Sequence, residues 1–288
     1  MSDRLPTIVS VAGLTHPGHA RTLNEDCFRV SEIGGALQRG PDEVVERVSS
    51  PAGFVLGVYD GTGGTGAGDA ASRAAARVVS EALATGALPS GPAELSVRLV
   101  EAVTAAGAAI LAEASASADR RGMGSTATVA ALAGEHLVVA QVGDSRAYLL
   151  RGRELVQITR DDTLLQEVLR TGRLSPADAA SFPHKNVLLQ VLGTGRELKV
   201  SVSTVVLHHG DRVLLCTDGI HGLLEDAVLR ATLLRHRDPG TAARVLLDEA
   251  LRAGGLDNIA LVIARPGSEG LPSGEAGLEV TSLGSGRT

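Results

Sequence analysis

Residues 53–80 read GFVLGVYDGTGGTGAGDAASRAAARVVS, and how this stretch is taken decides the fold. The apolar run Phe54–Tyr59 predicts a buried strand, and the alanine-rich run after Asp69 predicts a helix. Between them Gly61, Gly63 and Gly66 satisfy G-x-G-x-x-G in the strand–turn–helix setting of a dinucleotide fingerprint. The residue before the first glycine argues otherwise. A pyrophosphate at a helix N-terminus is stabilised by backbone N–H groups and the positive end of the helix dipole, so a carboxylate pointing into that turn repels it. Asp60 stands there, and Glu81, near the position where an acidic ribose partner would be needed, lies inside the helical pattern. A carboxylate at a strand end, followed by glycines that admit close approach, suits a hard cation better.

The rest of the chain bounds the possibilities. With 288 residues, 44% of them hydrophobic, it can bury a sizeable core, and with only 2% aromatic residues and no Trp that core must be Val, Leu, Ile and Ala. A net charge of −6 and the lack of base-stacking aromatics give no support to nucleic-acid or anionic-membrane binding. The N-terminus MSDRLPTIVSVAG lacks a signal-peptide pattern, and no run of about 18 apolar residues is read, so a cytoplasmic setting with no membrane partner is expected. Cys27 and Cys216 stand outside any C-x-x-C pair, which fits a reducing compartment and argues against zinc.

Along the chain, strands are expected over 7–13 and 26–33, a surface loop over 34–52, and helices from Asp69 and from Pro92. Short β-type runs fill 124–158. Helix returns over 161–182, where Ser175 and Pro176 look like an N-cap and first helical residue. The segment VSVSTVVLHHGDRVLLCTDGI predicts a β-hairpin turning at His209–Gly210–Asp211, followed by a helical segment over 226–253. The Gly/Ser-rich residues 266–288 read as a disordered tail. Antiparallel-looking strands with segregated long helices indicate an α+β domain in packed layers.

Four apolar segments meet an aspartate at a turn: Asp60 after FVLGVY, Asp144 after LVVAQVG, Asp218 after RVLLCT, and Asp257 ahead of IALVIA; Asp26 supplies a fifth. One Asp-Gly is simply a turn. Five carboxylates at strand ends are a different matter, because like charges gathered in one cleft destabilise a fold unless cations neutralise them. An all-oxygen donor set suits Mg²⁺ or Mn²⁺.

In order, ARTLNED, VYDGTGG, GSTAT, VGDSRAYLL, the run from DDTLLQEVLR to NVLLQVLG, LLCTDGI and DNIALV resemble the motif series of the metal-dependent protein phosphatases, the PPM or protein phosphatase 2C family, in its bacterial form. The resemblance covers about residues 5–265. It implies a four-layer α-β-β-α sandwich, a central antiparallel β-sandwich flanked by helices, as a phosphatase domain over 1–265 with a flap subdomain at about 161–187. It implies hydrolysis of phosphoserine and phosphothreonine in proteins by a water between two Mn²⁺ or Mg²⁺ ions. Asp60 would bridge the ions, the Gly61 carbonyl would ligate one, and Asp218 and Asp257 the other. Asp26 would act through water, Asp144 with Asp218 would hold a third ion, and Arg21 would bind the substrate phosphate. Serine/threonine kinases and their phosphorylated substrates would be the counterparts of a monomeric, cytoplasmic enzyme.

The match has departures. Where many eukaryotic relatives carry a histidine thought to protonate the leaving group, this chain has Thr62, whose hydroxyl is too weak an acid for that role. His16 and His19, near Arg21, are the candidates to replace it. The same substitution keeps a second reading alive, a metal-binding pseudophosphatase that recognises phosphoproteins without turnover. Arg170, Arg173, His184 and Lys185 in the flap could meet acidic or phosphorylated substrates, or could simply be solvated. Ser125 and Thr126 have no His–Asp relay and read as strand core beside the site.

Overall fold

The computed structural model describes residues 6–35, 37–40, 44–64, 66–85, 89–195, 197–267, 270–272 and 277–283. Fourteen strands run in chain order: β1 Thr7–His16, β2 Asp26–Glu32, β3 Gln38–Arg39, β4 Val44–Ser50, β5 Phe54–Thr62, β6 Gly124–Ser125, β7 Ala127–Ala133, β8 His136–Val142, β9 Arg146–Arg151, β10 Glu154–Gln157, β11 Ser201–Val206, β12 Arg212–Cys216, β13 Ile259–Pro266 and β14 Thr281–Leu283. The helices are α1 Ala67–Ala84, α2 Pro92–Ala116, α3 Leu164–Arg170, α4 Asp218–His221, α5 Asp226–Arg235 and α6 Pro239–Arg252. One sheet has the order β10-β9-β12-β13-β1-β4; the other runs β14-β11-β8-β7-β5-β2-β3, with β6 on β5. Every pairing is antiparallel.

Alternation along the strands builds the layers. In β7, Ala130 and Leu132 join the core between the sheets, while Val129 and Ala131 face α1 and α2. In β12, Val213 and Leu215 point inward, and Leu214 meets the cluster carrying Leu229, Leu233 and Leu246 of α5 and α6. Because both faces are covered, these strands read as continuous apolar runs. Three stacked clusters of small aliphatic side chains thus fill the four-layer α-β-β-α sandwich expected from the resemblance. By length and composition alone α2 is apolar enough to cross a membrane, with a mean hydropathy of 1.6, although Arg98, Glu101 and Glu113 interrupt its apolar residues. Its apolar face is instead in the core, where Leu95, Leu99, Val103 and Ile110 are buried.

Several sequence expectations need correction. The 34–52 loop contains β4, an edge strand on β1 whose Glu46 and Arg47 disguise it, since charged side chains are tolerated at an edge. The predicted hairpin at 209–211 does not form. β11 pairs with β8 and β14, and β12 pairs with β9 and β13, so the turn carries the chain from one sheet to the other. The helical segment 226–253 is two helices, parted where Pro239 opens α6 and Asp238 caps it by accepting from Thr241 N at 2.8 Å. Ser175 gives its hydroxyl to the Asp178 carboxylate at 2.6 Å, and the following residues form a 3-10 turn rather than an α-helix. The tail is ordered where it is described: Leu271, Leu278 and Val280 lie against the inter-sheet core, and β14 pairs with β11. Three apolar residues suffice to seat a segment whose Gly/Ser content read as disorder.

Candidate metal and active site

The antiparallel register of β2 with β5 places Asp26 directly opposite Asp60. Like charges in that position repel, so the register itself is a reason to look for a cation. From the other sheet, β12 ends at Cys216 and α4 opens with Asp218, while Asp257 precedes β13. Thr217 ties these two turns together, its N–H donating to Ala260 O at 3.0 Å and its hydroxyl accepting from Ala260 N at 2.9 Å. Four of the five aspartates therefore meet where the ends of the two sheets come together.

Hydrogen bonds to the backbone hold them there. Asp60 N donates to the Thr126 hydroxyl at 3.0 Å, Thr126 N donates back to Asp60 O at 2.8 Å, and the Thr126 hydroxyl lies 2.8 Å from that of Ser145. Thr126 thus clamps the strand end that carries Asp60. Glu25 receives Gly61 N on its carbonyl at 3.1 Å and Gly68 N on its carboxylate at 3.1 Å. Asn258 Oδ1 accepts from Glu25 N at 2.8 Å, and its amide N–H groups reach Pro17 O and Leu23 O at 2.9 and 2.8 Å. Asn258 and Glu25 position the site between the sheets, yet the sequence reading gave them no role; their adjacency to Asp257 and Asp26 was the available signal. A Cβ on Gly61 would strike Gly68 O and come within 2.6 Å of Glu25 O, so only glycine lets the strand pass so close to helix α1. Gly66, at φ 83°, opens that helix in the left-handed region.

The electrostatics match a site short of positive charge. Burial, reinforced by the neighbouring carboxylates, pushes Asp26 up to about 8 and Asp60 well above the usual range. Burial likewise, with Asp218 adding to it, raises Asp144 to about 7; burial and then Asp257 raise Asp218 to about 6. Asp26 Oδ2 is buried with no hydrogen-bond partner. An orphaned carboxylate oxygen among three other carboxylates is a donor awaiting a cation. Among the described residues no group of three or more His, Cys, Asp or Glu side chains is drawn together closely enough to hold a metal ion. The donors gathered here are all oxygens, which suit Mg²⁺ or Mn²⁺ better than zinc, because a hard ion retains several waters and needs only one or two carboxylates.

Metal-free protein should therefore lose stability as pH rises. For each raised carboxyl the folded state holds its proton above the unfolded value of 3.8, so stability is lost as pH climbs through the folded value. His221, which burial lowers from 6.5 to about 4, acts in the opposite sense, but its contribution is complete above about pH 6.5. Calorimetry in EDTA should show Tm falling from about pH 6.5 to 8; a Tm that rises over that window would contradict the crowding of carboxylates.

Arg21 donates to Asp257 Oδ2 at 2.9 Å, with 55% and 42% of the two side chains exposed. A pair so open to solvent is weak and easily exchanged. His16 Nδ1 accepts from Gly18 N at 2.9 Å, and its ring meets that of His19 edge to face at 6.4 Å. Thr62 is exposed opposite Gly124. Asp144 lies close enough for its charge to act on Asp218 and Asp60; His221 Nε2 is 3.0 Å from its carbonyl oxygen. Beside it the segment that begins at Asp161 is anchored: Asp161 receives a fork from Arg146 at 2.9 and 2.7 Å, and Asp162 Oδ2 accepts from Gly143 N at 3.0 Å. Beyond it Arg173, His184 and Lys185 are exposed, the His184 ring meeting that of Phe182 edge to face at 6.4 Å, while Arg170 is engaged by Glu167 at 2.6 Å.

An acidic, oxygen-only cleft at one end of an α-β-β-α sandwich, flanked by an arginine and a flap, defines a class of hard-cation site suited to phosphoryl chemistry. The chain belongs to the protein phosphatase 2C family, whose family model matches residues 42–251. It is 37% identical over 210 residues to the serine/threonine protein phosphatase PstP of Mycobacterium tuberculosis, covering 73% of this chain and 40% of that protein. It is 35% identical over 206 residues to the serine/threonine phosphatase stp of Listeria innocua, covering 72% and 82%. The chain thus spans about 40% of the length of the mycobacterial relatives it matches. Among solved structures, the catalytic domain of PstP in complex with two manganese ions superposes with a TM-score of 0.72 at 30% identity, over 90% of this chain and 99% of that one.

Proposed function

We propose that the chain is a Mn²⁺- or Mg²⁺-dependent serine/threonine protein phosphatase. The observation that carries this is the pairing of Asp26 with Asp60 across β2 and β5, with an orphaned carboxylate oxygen between them and Asp218 and Asp257 supplied by the other sheet. Family membership and the manganese-bound relative support the same reading. The phosphatase domain is taken as 1–265, with the flap over about 161–187. Asp60 and the Gly61 carbonyl, with Asp218 and Asp257, would hold two ions, Asp26 would bind through water, and Asp144 with Asp218 would take a third. Two such ions supply a water of lowered pKa as nucleophile and neutralise phosphoryl charge.

The chain's own residues do the rest. Arg21, freed from Asp257, would turn its fork to the phosphoryl oxygens and hold the phosphorus in line with the acidic end of the sandwich. His16 and His19 are the proposed sources of a proton for the departing serine or threonine oxygen, a role that requires the imidazolium; for His16 that form would have to give up the bond its Nδ1 accepts from Gly18 N. Thr126, Glu25 and Asn258 hold the carboxylate-bearing backbone so that little reorganisation is needed at the moment of reaction. Phosphorylated proteins, with serine/threonine kinases as their source, are the proposed substrates of a cytoplasmic monomer.

The test is phosphate release from a phosphothreonine peptide, a phosphoserine peptide and p-nitrophenyl phosphate with Mn²⁺, Mg²⁺ or EDTA. Ion-dependent release from the peptides is expected. Ion binding with no turnover of any of the three would instead leave the Thr62-based alternative, a phosphoprotein-binding pseudophosphatase.

A further inference from the structure

At the opposite end of the sandwich the sheet carries a row of arginines with no use in the phosphatase reading. On neighbouring strands β4, β1 and β13, Ser10 pairs with both Arg47 and Arg265. One step beyond the Val213–Ala264 pair, Arg212 of β12 comes beside Arg265. Alternation puts all four on the helix-covered face, since Ala12, Leu214 and Ile263, each two residues from a member of the row, lie in the cluster beneath α5 and α6. Here, past the edge of those helices, that face opens into a cavity of about 550 Å³, lined by Ser10, Arg47, Arg212, Arg237 and Arg265. Arg237 enters from the turn between α5 and α6.

Arg47, Arg212, Arg237 and Arg265 form no ion pair with a described carboxylate. The Arg212 Nε–H is buried without an acceptor, and the one bond its fork makes, Nη1 to His236 O, is long at 3.4 Å. Asp238, whose charge interacts with Arg265, is held by Thr241 N and Oγ1 at 2.8 and 2.9 Å rather than by a guanidinium. Arg151, which also lines the cavity, is neutralised by Asp211. Like charges on adjacent strands destabilise a sheet, and in a chain of net charge −6 the concentration is not an average property of its surface. Several guanidinium forks around one cavity match an anion bearing more than one charge and several acceptor oxygens.

We propose that this arginine row is a second anion site that binds a phosphoryl group, with Arg212 and Arg265 as its floor and Arg47 and Arg237 as its walls. Arg212 and Asp218 are six steps apart along β12 and its extended exit, so the site lies about 20 Å from the carboxylate cluster. It stands independently of the catalytic reading. The phosphoryl group could be free phosphate or a phosphorylated side chain of a bound protein, and the two are separated by the probe.

The experiment follows Tm of the full chain, with EDTA so that the carboxylate cluster repels anions, as inorganic phosphate replaces chloride at constant ionic strength. Wild type should gain about 5 °C at saturation. Arg265→Gln and, separately, Arg47→Gln on the edge strand should lose most of that gain, while their phosphate-free Tm equals or exceeds wild type because repulsion is relieved. Equal gains in wild type and both variants, or no gain in wild type, would overturn the proposal. Fluorescence anisotropy with a labelled phosphothreonine peptide and its unphosphorylated form then identifies the source. Binding about tenfold tighter for the phosphorylated form, lost in Arg265→Gln, supports a phosphoprotein; phosphate-dependent stabilisation without that preference supports the free anion.

Discussion

Replacing Asp60 by Asn should remove ion-dependent phosphatase turnover by about 10³-fold or more while leaving the metal-free protein at least as heat-stable as the parent. The loss corresponds to about 4 kcal/mol of transition-state stabilisation at tenfold per ~1.4 kcal/mol, a reasonable cost for removing the carboxylate proposed to serve two ions. The stability half follows from what Asp60 does without metal. It is opposed across the strand pair by Asp26, and burial followed by Asp26, Asp218, Asp144 and Asp257 all disfavour its charge. Asparagine has nearly the same shape and no charge, and the bonds between Asp60 and Thr126 run through the Asp60 backbone, so they survive the change. The stabilisation that Mn²⁺ confers by mass action, about 2.7 kcal/mol at a hundredfold excess over Kd, should shrink in the same variant. Calorimetry with and without Mn²⁺, beside peptide turnover, checks both halves; a variant that unfolds without metal would show that Asp60 is structural rather than a charge awaiting a cation.

The largest stability effect is expected far from that cleft, at Asp211→Ala. Arg151 and Asp211 are 9% and 1% exposed, joined by a fork at 3.0 and 2.7 Å. Arg151 also donates to Val206 O at 2.6 Å, and Asp211 accepts from His208 N at 2.8 Å. The pair therefore fixes the turn that passes the chain from β11 in one sheet to β12 in the other. Removing the carboxylate leaves a buried guanidinium without its counter-charge, which costs about 3–5 kcal/mol, at roughly 2–4 °C of Tm per kcal/mol for a domain of this size. The double variant Arg151→Met/Asp211→Leu should be markedly more stable than Asp211→Ala, since neither charge is then stranded. Urea unfolding decides it: a single variant within about 1 kcal/mol of wild type would mean that solvent reaches the guanidinium.

The same turn shows where sequence reading stops. VSVSTVV alternates, RVLLC is a short apolar run, and the two flank a glycine turn, so the local signals favoured a hairpin; what separates them is the pairing of each with strands remote in sequence. β4 was missed for a related reason. Its Glu46 and Arg47 are tolerable only because it lies at a sheet edge, a fact of topology and not of composition. A layered α+β domain and the carboxylates were legible because Asp60, Asp144 and Asp218 close apolar runs and Asp257 opens one, and buried strands announce themselves; the four-layer arrangement came with the family resemblance. Thr126, Glu25 and Asn258 were not, because their work is hydrogen bonding to backbone of other segments. The arginine row was equally hidden, for its members lie on strands far apart in the sequence and come together only through register.

The central claim is that these carboxylates become a phosphatase by holding two divalent ions. Protein stripped with EDTA should be titrated with Mn²⁺, counting bound ions by equilibrium dialysis and phosphate released from a phosphothreonine peptide in the same samples. No release from the ion-free protein, and turnover that appears as occupancy approaches two per chain, is the predicted result. Release in the presence of EDTA, or two bound ions with no release, would contradict it.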